Sequence, residues 1–176
     1  MLEGKKIIVT GSASGMGEAT LKAYVKAGAN VVGMDISDKK GEDISLKTND
    51  IGPGKCSFIH IDVSDKDSVK KAFDLALDTL KSLDVLAHPA AIQGPSDASD
   101  VNVEDWDNMF AVNVRGTMLT NQIAFKYMKK NGSGSIINFG SISGLRPEPS
   151  ASAYSAAKGA VHSWTRTAAG TWGKYN

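Results

Sequence analysis

Lys5 to Gly17 reads K-K-I-I-V-T-G-S-A-S-G-M-G, and the fold is decided there. The run Ile7-Ile8-Val9 suits a strand buried on both faces, as in a parallel sheet. A glycine-rich turn follows at once, and a helix-patterned segment runs on to Ala27, where Gly28 is placed to stop it. In this strand–turn–helix context Gly11 permits the tight turn. Gly15 lets the backbone approach a pyrophosphate at the helix N-terminus, and Gly17 lets the helix pack closely. The spacing is G-x-x-x-G-x-G rather than the G-x-G-x-x-G of most dinucleotide-binding folds.

Outward from this unit, strand-like and helix-like segments keep alternating. Strands are expected over Asn30–Asp35, Cys56–Asp62, Val85–Ala90 and Ser135–Phe139. Helices are expected over Lys39–Thr48, Asp65–Leu80, Val103–Lys130 and Ser152–Gly170, with Ser64 and Asn102 as N-caps. Ala91 to Asp100 is a loop. The alternation predicts an α/β domain, a mainly parallel sheet with helices on both faces, spanning residues 1–176 without a linker.

Composition removes several function classes. Twenty basic residues against nineteen acidic ones give a net charge of +1, which argues against a nucleic-acid-binding surface. Cys56 is the only cysteine, so neither a disulfide framework nor a thiolate metal site is expected, as in a reducing compartment. The N-terminal apolar run is too short for a signal peptide, and no later run could span a bilayer. The expectation is a soluble, cytoplasmic protein with no metal, membrane or nucleic-acid partner.

Two further places carry chemistry. In the last helix, Y-x-x-x-K puts Tyr154 and Lys158 on one face. A phenol titrates near ~10, and a neighbouring ammonium favours the phenolate, drawing it towards the range where acid–base exchange is efficient. Ser141, thirteen positions earlier, could share a substrate oxygen with Tyr154. This is proton-transfer equipment for an alcohol–carbonyl pair. Asp35 closes the second strand, eighteen residues beyond Gly17. A carboxylate there accepts from an adenosine ribose and repels a 2′-phosphate, and Ser12, Ala13 and Ser14 offer that phosphate no cation, which favours NAD over NADP. Lys39 and Lys40 close by argue the other way. Asp62 either meets an adenine amine or serves as a loop or cap residue.

Taken together these pieces resemble the classical short-chain dehydrogenase/reductase family, from Lys5 onward. The carrying motifs are T-G-x-x-x-G-x-G at Thr10–Gly17, Asp62-Val63, N-V-x-G at Asn113–Gly116, and Ser141 with Tyr154 and Lys158. The resemblance implies a doubly wound, Rossmann-type sheet of order 3-2-1-4-5, lacking the family's last two strands. It implies hydride transfer between NAD(H) and a secondary alcohol or ketone. Tyr154 would exchange the proton, Ser141 would hold the substrate oxygen, and Lys158 would bind the nicotinamide ribose. Asn113 would hold a water linking Lys158 to solvent, which requires a local distortion of the long helix. Cofactor contacts are expected from Gly11, Ser14, Gly15, Met16, Gly17, Asp35, Asp62, Val63, Ala90, Tyr154 and Lys158. The resemblance also implies a homodimer or homotetramer paired through the long helix and the Tyr154 helix. Ile123, Phe125, Ala160 and Trp164 fit that pairing and equally fit an internal core.

Two departures stand out. Where the family has N-N-A-G at the end of the fourth strand, this chain has His88-Pro89-Ala90-Ala91. Proline removes a backbone donor there, and His88 reads as a replaced structural asparagine rather than a base. The chain also stops at G-K-Y-N, where the family begins its sixth strand. The expectation is a C-terminally incomplete domain, with weak cofactor binding and little turnover if Asn176 is the true end. The competing readings are a non-catalytic NAD-binding or scaffold protein and, more distantly, a nucleotide-sugar epimerase relative. Gln93, Ile142, Leu145 and Glu148 are placed either to line a substrate pocket or simply as loop residues.

Overall fold

In a computed structural model that describes residues 2–175, five parallel strands form one sheet in the order β3-β2-β1-β4-β5. They are β1 (Lys6–Thr10), β2 (Asn30–Asp35), β3 (Lys55–His60), β4 (Val85–His88) and β5 (Ser135–Asn138). The helices are α1 (Gly15–Lys26), α2 (Asp38–Thr48), α3 (Lys66–Leu80), α4 (Val103–Phe110), α5 (Gly116–Asn131) and α6 (Ser152–Trp172). The expected doubly wound arrangement and strand order are both found.

β1 is central because its apolar run has no solvent face. Ile7, Ile8 and Val9 are each 0% exposed, Ile8 packing on one side of the sheet and Ile7 and Val9 on the other. Burial on this scale contributes roughly 1.5–3 kcal/mol per side chain. On the Ile8 side, α3 presents Val69, Ala72, Phe73 and Ala76, and α5 adds Ala124 and Met128. On the other side α1 supplies Leu21 and Val25.

Boundaries differ from expectation where a local donor or acceptor decides them. α3 is capped by Asp65, whose carboxylate accepts from the N–H groups of Asp67 and Ser68, and not by Ser64. Ser64 instead donates from N and Oγ to Asp62 Oδ1 at 2.8 and 2.7 Å, and that turn follows β3, which ends at His60. β4 stops at His88 because Pro89 has no N–H to continue the ladder. Asn102 does cap α4, accepting from Asp105 N–H. The expected continuous helix over 103–130 is interrupted by a π turn at Ala111–Arg115, the local distortion anticipated at Asn113.

The aromatic residues weighed for subunit contacts have internal partners. Phe125 stacks on Trp172 with centroids 4.4 Å apart, and Trp164 meets Trp172 edge-on at 5.9 Å. Trp164 Nε1 also donates to Asn121 Oδ1, while Ile123 packs against the α3 side of the core.

Candidate active site

A cleft of about 530 Å³ opens at the carboxyl ends of the strands. Its walls are the β1–α1 turn (Gly11, Ser14, Gly15, Met16, Gly17), the β2 end (Asp35, Ile36), the residues after β3 (Ile61, Asp62, Val63) and those after β4 (Pro89 to Gln93). Val112, Tyr154 and Lys158 close it. Every residue expected to contact a cofactor lines this one space. Ile36, Ile61, Ile92 and Val112 are not singled out by the sequence; each neighbours a residue that is, and adjacency is their only signal.

Local backbone chemistry shapes the turn. Ser14 stands at the N-cap of α1 in an extended conformation, and its side chain makes no capping bond, so no side chain caps the first turn of α1. Gly15 has φ +51 and an open Cα face, a conformation costly for any other residue. At Gly17 a Cβ would collide with the Gly11 carbonyl, so only glycine lets the helix start that close to the turn. Asp35 ties this turn to β2, its Oδ2 accepting from Ala13 N–H at 3.0 Å and its Oδ1 from Ser37 N–H at 2.9 Å. A carboxylate has about four lone-pair sites, so acceptor capacity remains towards the cleft.

At the other end, α6 carries Tyr154 half-buried and Lys158 only 5% exposed. Lys158 Nζ lies 5.7 Å from the Tyr154 ring centroid and donates to the Phe139 carbonyl at 2.7 Å. Burial pushes the ammonium below the usual lysine range. Ser141 caps the short 3₁₀ turn Ile142–Gly144, its Oγ accepting from Ser143 N–H at 3.2 Å and lying 3.3 Å from Ser143 Oγ. Ser143 lines a second cleft with Gln93, Glu148 and Tyr154, so Tyr154 and Gln93 border both spaces. Of the other residues weighed for a substrate pocket, Ile142 and Leu145 are 61% and 65% exposed and line neither cleft. The tight turn after β5 leaves them facing solvent.

Asn113 sits behind the wall, 1% exposed. Its Oδ1 accepts from Ile92 N–H and its Nδ2 donates to the Ile92 carbonyl, both at 2.8 Å. The remaining Nδ2 hydrogen reaches Met109 Sδ at 3.0 Å. The side chain thereby pairs with the Ile92 backbone as a neighbouring strand would, holding the loop that forms the cleft wall. The π turn brings Asn113 into that position.

His88 is 2% exposed. Its Nδ1 lies 2.8 Å from Thr10 Oγ1 and 3.3 Å from Thr120 Oγ1, and Nε2 has no protein partner. Its pKa is lowered to about 3, first by desolvation and then by the Lys158 charge, so the folded protein holds it neutral. The unfolded chain takes up this proton below about pH 6.5, and the folded chain refuses it until about pH 3. Stability is therefore lost as pH falls through that window. At pH 5 this loss is ~2 kcal/mol, from a 1.5-unit gap at about 1.36 kcal/mol per unit. His88→Asn, which has nothing to protonate, is expected to lose that much less stability between pH 7.5 and 5 in urea unfolding. Equal acid sensitivity in both proteins would contradict it.

Among the described residues no group of His, Cys, Asp and Glu could hold a metal ion, and no helix is long and apolar enough to cross a membrane. Residues 5–176 match the family described as short chain dehydrogenase. The 3-oxoacyl-(acyl-carrier-protein) reductase FabG of Thermotoga maritima is 34% identical over 166 residues, which are 94% of this chain and 67% of that one. Momilactone A synthase of Oryza sativa subsp. japonica is 35% identical over 176 residues, covering 99% of this chain and 63% of its own. The crystal structure of a short chain dehydrogenase from Mycobacterium smegmatis superposes with a TM-score of 0.95 at 28% identity, covering 99% of this chain and 73% of that one. The chain thus spans about two thirds of the length of these relatives.

Proposed function

Because the chain belongs to the short chain dehydrogenase family, a family of oxidoreductases that bind a nicotinamide cofactor, we propose that it moves a hydride between NAD(H) and a secondary alcohol or ketone, with Tyr154 exchanging the proton. The observation that carries this reading is a shared cleft. Tyr154 and Lys158 stand at one end, and the uncapped α1 N-terminus and Asp35 at the other.

The residues fit a dinucleotide. The uncapped first turn of α1, with Gly15 bare towards the cleft, suits a pyrophosphate. Asp35 suits a ribose diol, Asp62 and Val63 suit the adenine edge, and Ala90 faces Gly11 across the cleft floor. When bound, the nicotinamide accepts or donates the hydride. The chain's own residues do the rest. In alcohol oxidation the Tyr154 oxygen takes the hydroxyl proton while the Ser141 hydroxyl holds the same oxygen. The Lys158 ammonium stabilises negative charge on the Tyr154 oxygen and has two N–H bonds left for a ribose beyond the one given to Phe139. Asn113 positions the Ile92 segment, and a water near it would connect Lys158 to solvent. The described chain acts in this reading as one cofactor-binding and catalytic domain. Copies would pair through the face where Phe110, Val114, Met118 and Trp164 line a shallow groove.

The test is to mix the full gene product with NAD and 2-butanol, cyclohexanol or 1-phenylethanol and follow NADH. NADH formation with at least one alcohol is expected; cofactor binding without turnover across a broad alcohol and ketone panel would point instead to a non-catalytic binding protein. The preference for NAD has its own test in Asp35→Asn, which removes the charge that would face a 2′-phosphate. Asn keeps an acceptor oxygen for the turn. The kcat/KM ratio of NADP to NAD is expected to rise about tenfold or more, equivalent to ~1.4 kcal/mol. An unchanged ratio would remove Asp35 from cofactor choice.

A further inference from the structure

His162 has no place in the reading above, yet the segment bearing Ser141 is built against it. The Ser141 carbonyl lies 2.9 Å from His162 Nε2. The Ser141 N–H lies 3.4 Å from the same Nε2 and would need that nitrogen unprotonated, but the carbonyl is closer and can only accept, so Nε2 carries the proton and donates. The ring fills space that two glycines leave open. A Cβ at Gly140 would stand 2.5 Å from Cε1 of the ring; one at Gly144 would meet the α6 backbone at Lys158 and Gly159 first, at 2.7 Å, and Cδ2 of the ring at 2.9 Å.

The same helix face holds the preceding carbonyl of that segment as well. Lys158 Nζ donates to Phe139 O at 2.7 Å. Carbonyls two residues apart in extended chain point the same way and lie about 6.6 Å apart. Side chains four residues apart on a helix share a face and are spaced about 6 Å along its axis. Phe139 and Ser141 on one side therefore match Lys158 and His162 on the other, in position and in spacing. Tyr154 lies one turn earlier on the same helix. Helix α6 thus carries the tyrosine and also grips the backbone of the serine that works with it.

We propose that His162 is a positioning residue for the reaction: its Nε2–H bond to the Ser141 carbonyl sets where the Ser141 hydroxyl stands relative to Tyr154. The inference rests on Ser141 holding the substrate oxygen, as read above. Misplacing a reacting group by about 1 Å can cost ~100-fold in rate. His162→Leu is therefore expected to lower kcat by roughly 10- to 100-fold on the alcohol oxidised fastest among the three named, with NAD affinity within about twofold of wild type. His162→Gln, whose amide N–H can reach the same carbonyl, is expected to recover most of the rate, and His162→Glu, which when ionised only accepts, is not. The last two variants decide the matter if His162→Leu does not fold.

The decisive comparison adds His162→Leu to Ser141→Ala. With no hydroxyl left to place, the second change is expected to alter kcat by less than about twofold, because coupled residues are non-additive. An undiminished loss in that background would make His162 merely structural and overturn the inference. Full activity in Ser141→Ala alone would overturn the role of the serine first, and the two failures are told apart by that single variant. Independently of turnover, ¹⁵N chemical shifts of the His162 ring in the labelled protein are expected to report the Nε2–H tautomer; the Nδ1–H tautomer would contradict the bond.

Discussion

Tyr154→Phe is expected to lower kcat for alcohol oxidation by about 10²- to 10⁴-fold, the range that positioned acid–base groups contribute. The change removes one oxygen from a half-buried ring on α6 and leaves the packing of the ring in place. No hydrogen bond within the protein is given up by design, so the fold and the α1 turn at the far end of the cleft are unaffected. NAD affinity, measured by fluorescence titration, is expected to stay within about threefold. Activity that survives this variant at wild-type level would remove Tyr154 from proton transfer, whatever the cofactor does.

Lys158→Met separates catalysis from stability. Methionine nearly matches the lysine stem but has neither charge nor donor. Losing a preorganised positive charge beside the reacting oxygen is expected to cost ~10²- to 10³-fold in kcat. NAD binding is expected to weaken as well, since Lys158 lines the cleft. Stability is expected to move little. The Phe139 carbonyl loses its partner, which costs ~1–2 kcal/mol, and the relief of no longer burying an ammonium offsets it. The pH dependence gives the sign. Because burial lowers the pKa of Lys158, the unfolded chain binds more protons between that depressed value and the ordinary one. Wild-type stability therefore rises with pH through this alkaline window, and the variant is expected to lack that rise in denaturant unfolding at several pH values. A variant with a wild-type rate, or with the same alkaline rise, would contradict the role assigned to this buried charge.

Much of this architecture was readable because it depends on patterns internal to each segment. Ile7-Ile8-Val9 before a glycine turn, Asn30–Asp35 closing on an acid, and an alanine-rich helix with Tyr154 and Lys158 one turn apart are local facts. The sheet order followed from the family those facts resemble. What sequence missed depends on which partner each group takes once the chain is folded. Asp65 outcompetes Ser64 as the cap of α3 because Ser64 is already held by Asp62, a choice that neither residue type reveals. His88 reads as a strand-end substitution, but its neutrality comes from full burial and from the charge of Lys158, far away in the chain. Asn113 was singled out, yet its clasp on Ile92 became visible only once the π turn aimed it. His162 carries no signal of its own in the sequence, being one histidine inside a helix. The hints were Gly140 and Gly144 on either side of Ser141, and they carry meaning only once the ring is seen between them.

The central claim is that one cleft brings a dinucleotide's nicotinamide to Tyr154 and Lys158. It is tested most directly by a crystal structure of the full gene product with NAD. The account predicts the pyrophosphate on the first turn of α1, a ribose on Asp35, and the nicotinamide ribose within hydrogen-bonding reach of Lys158. NAD bound elsewhere, or in this cleft with its nicotinamide turned away from Tyr154, would contradict it.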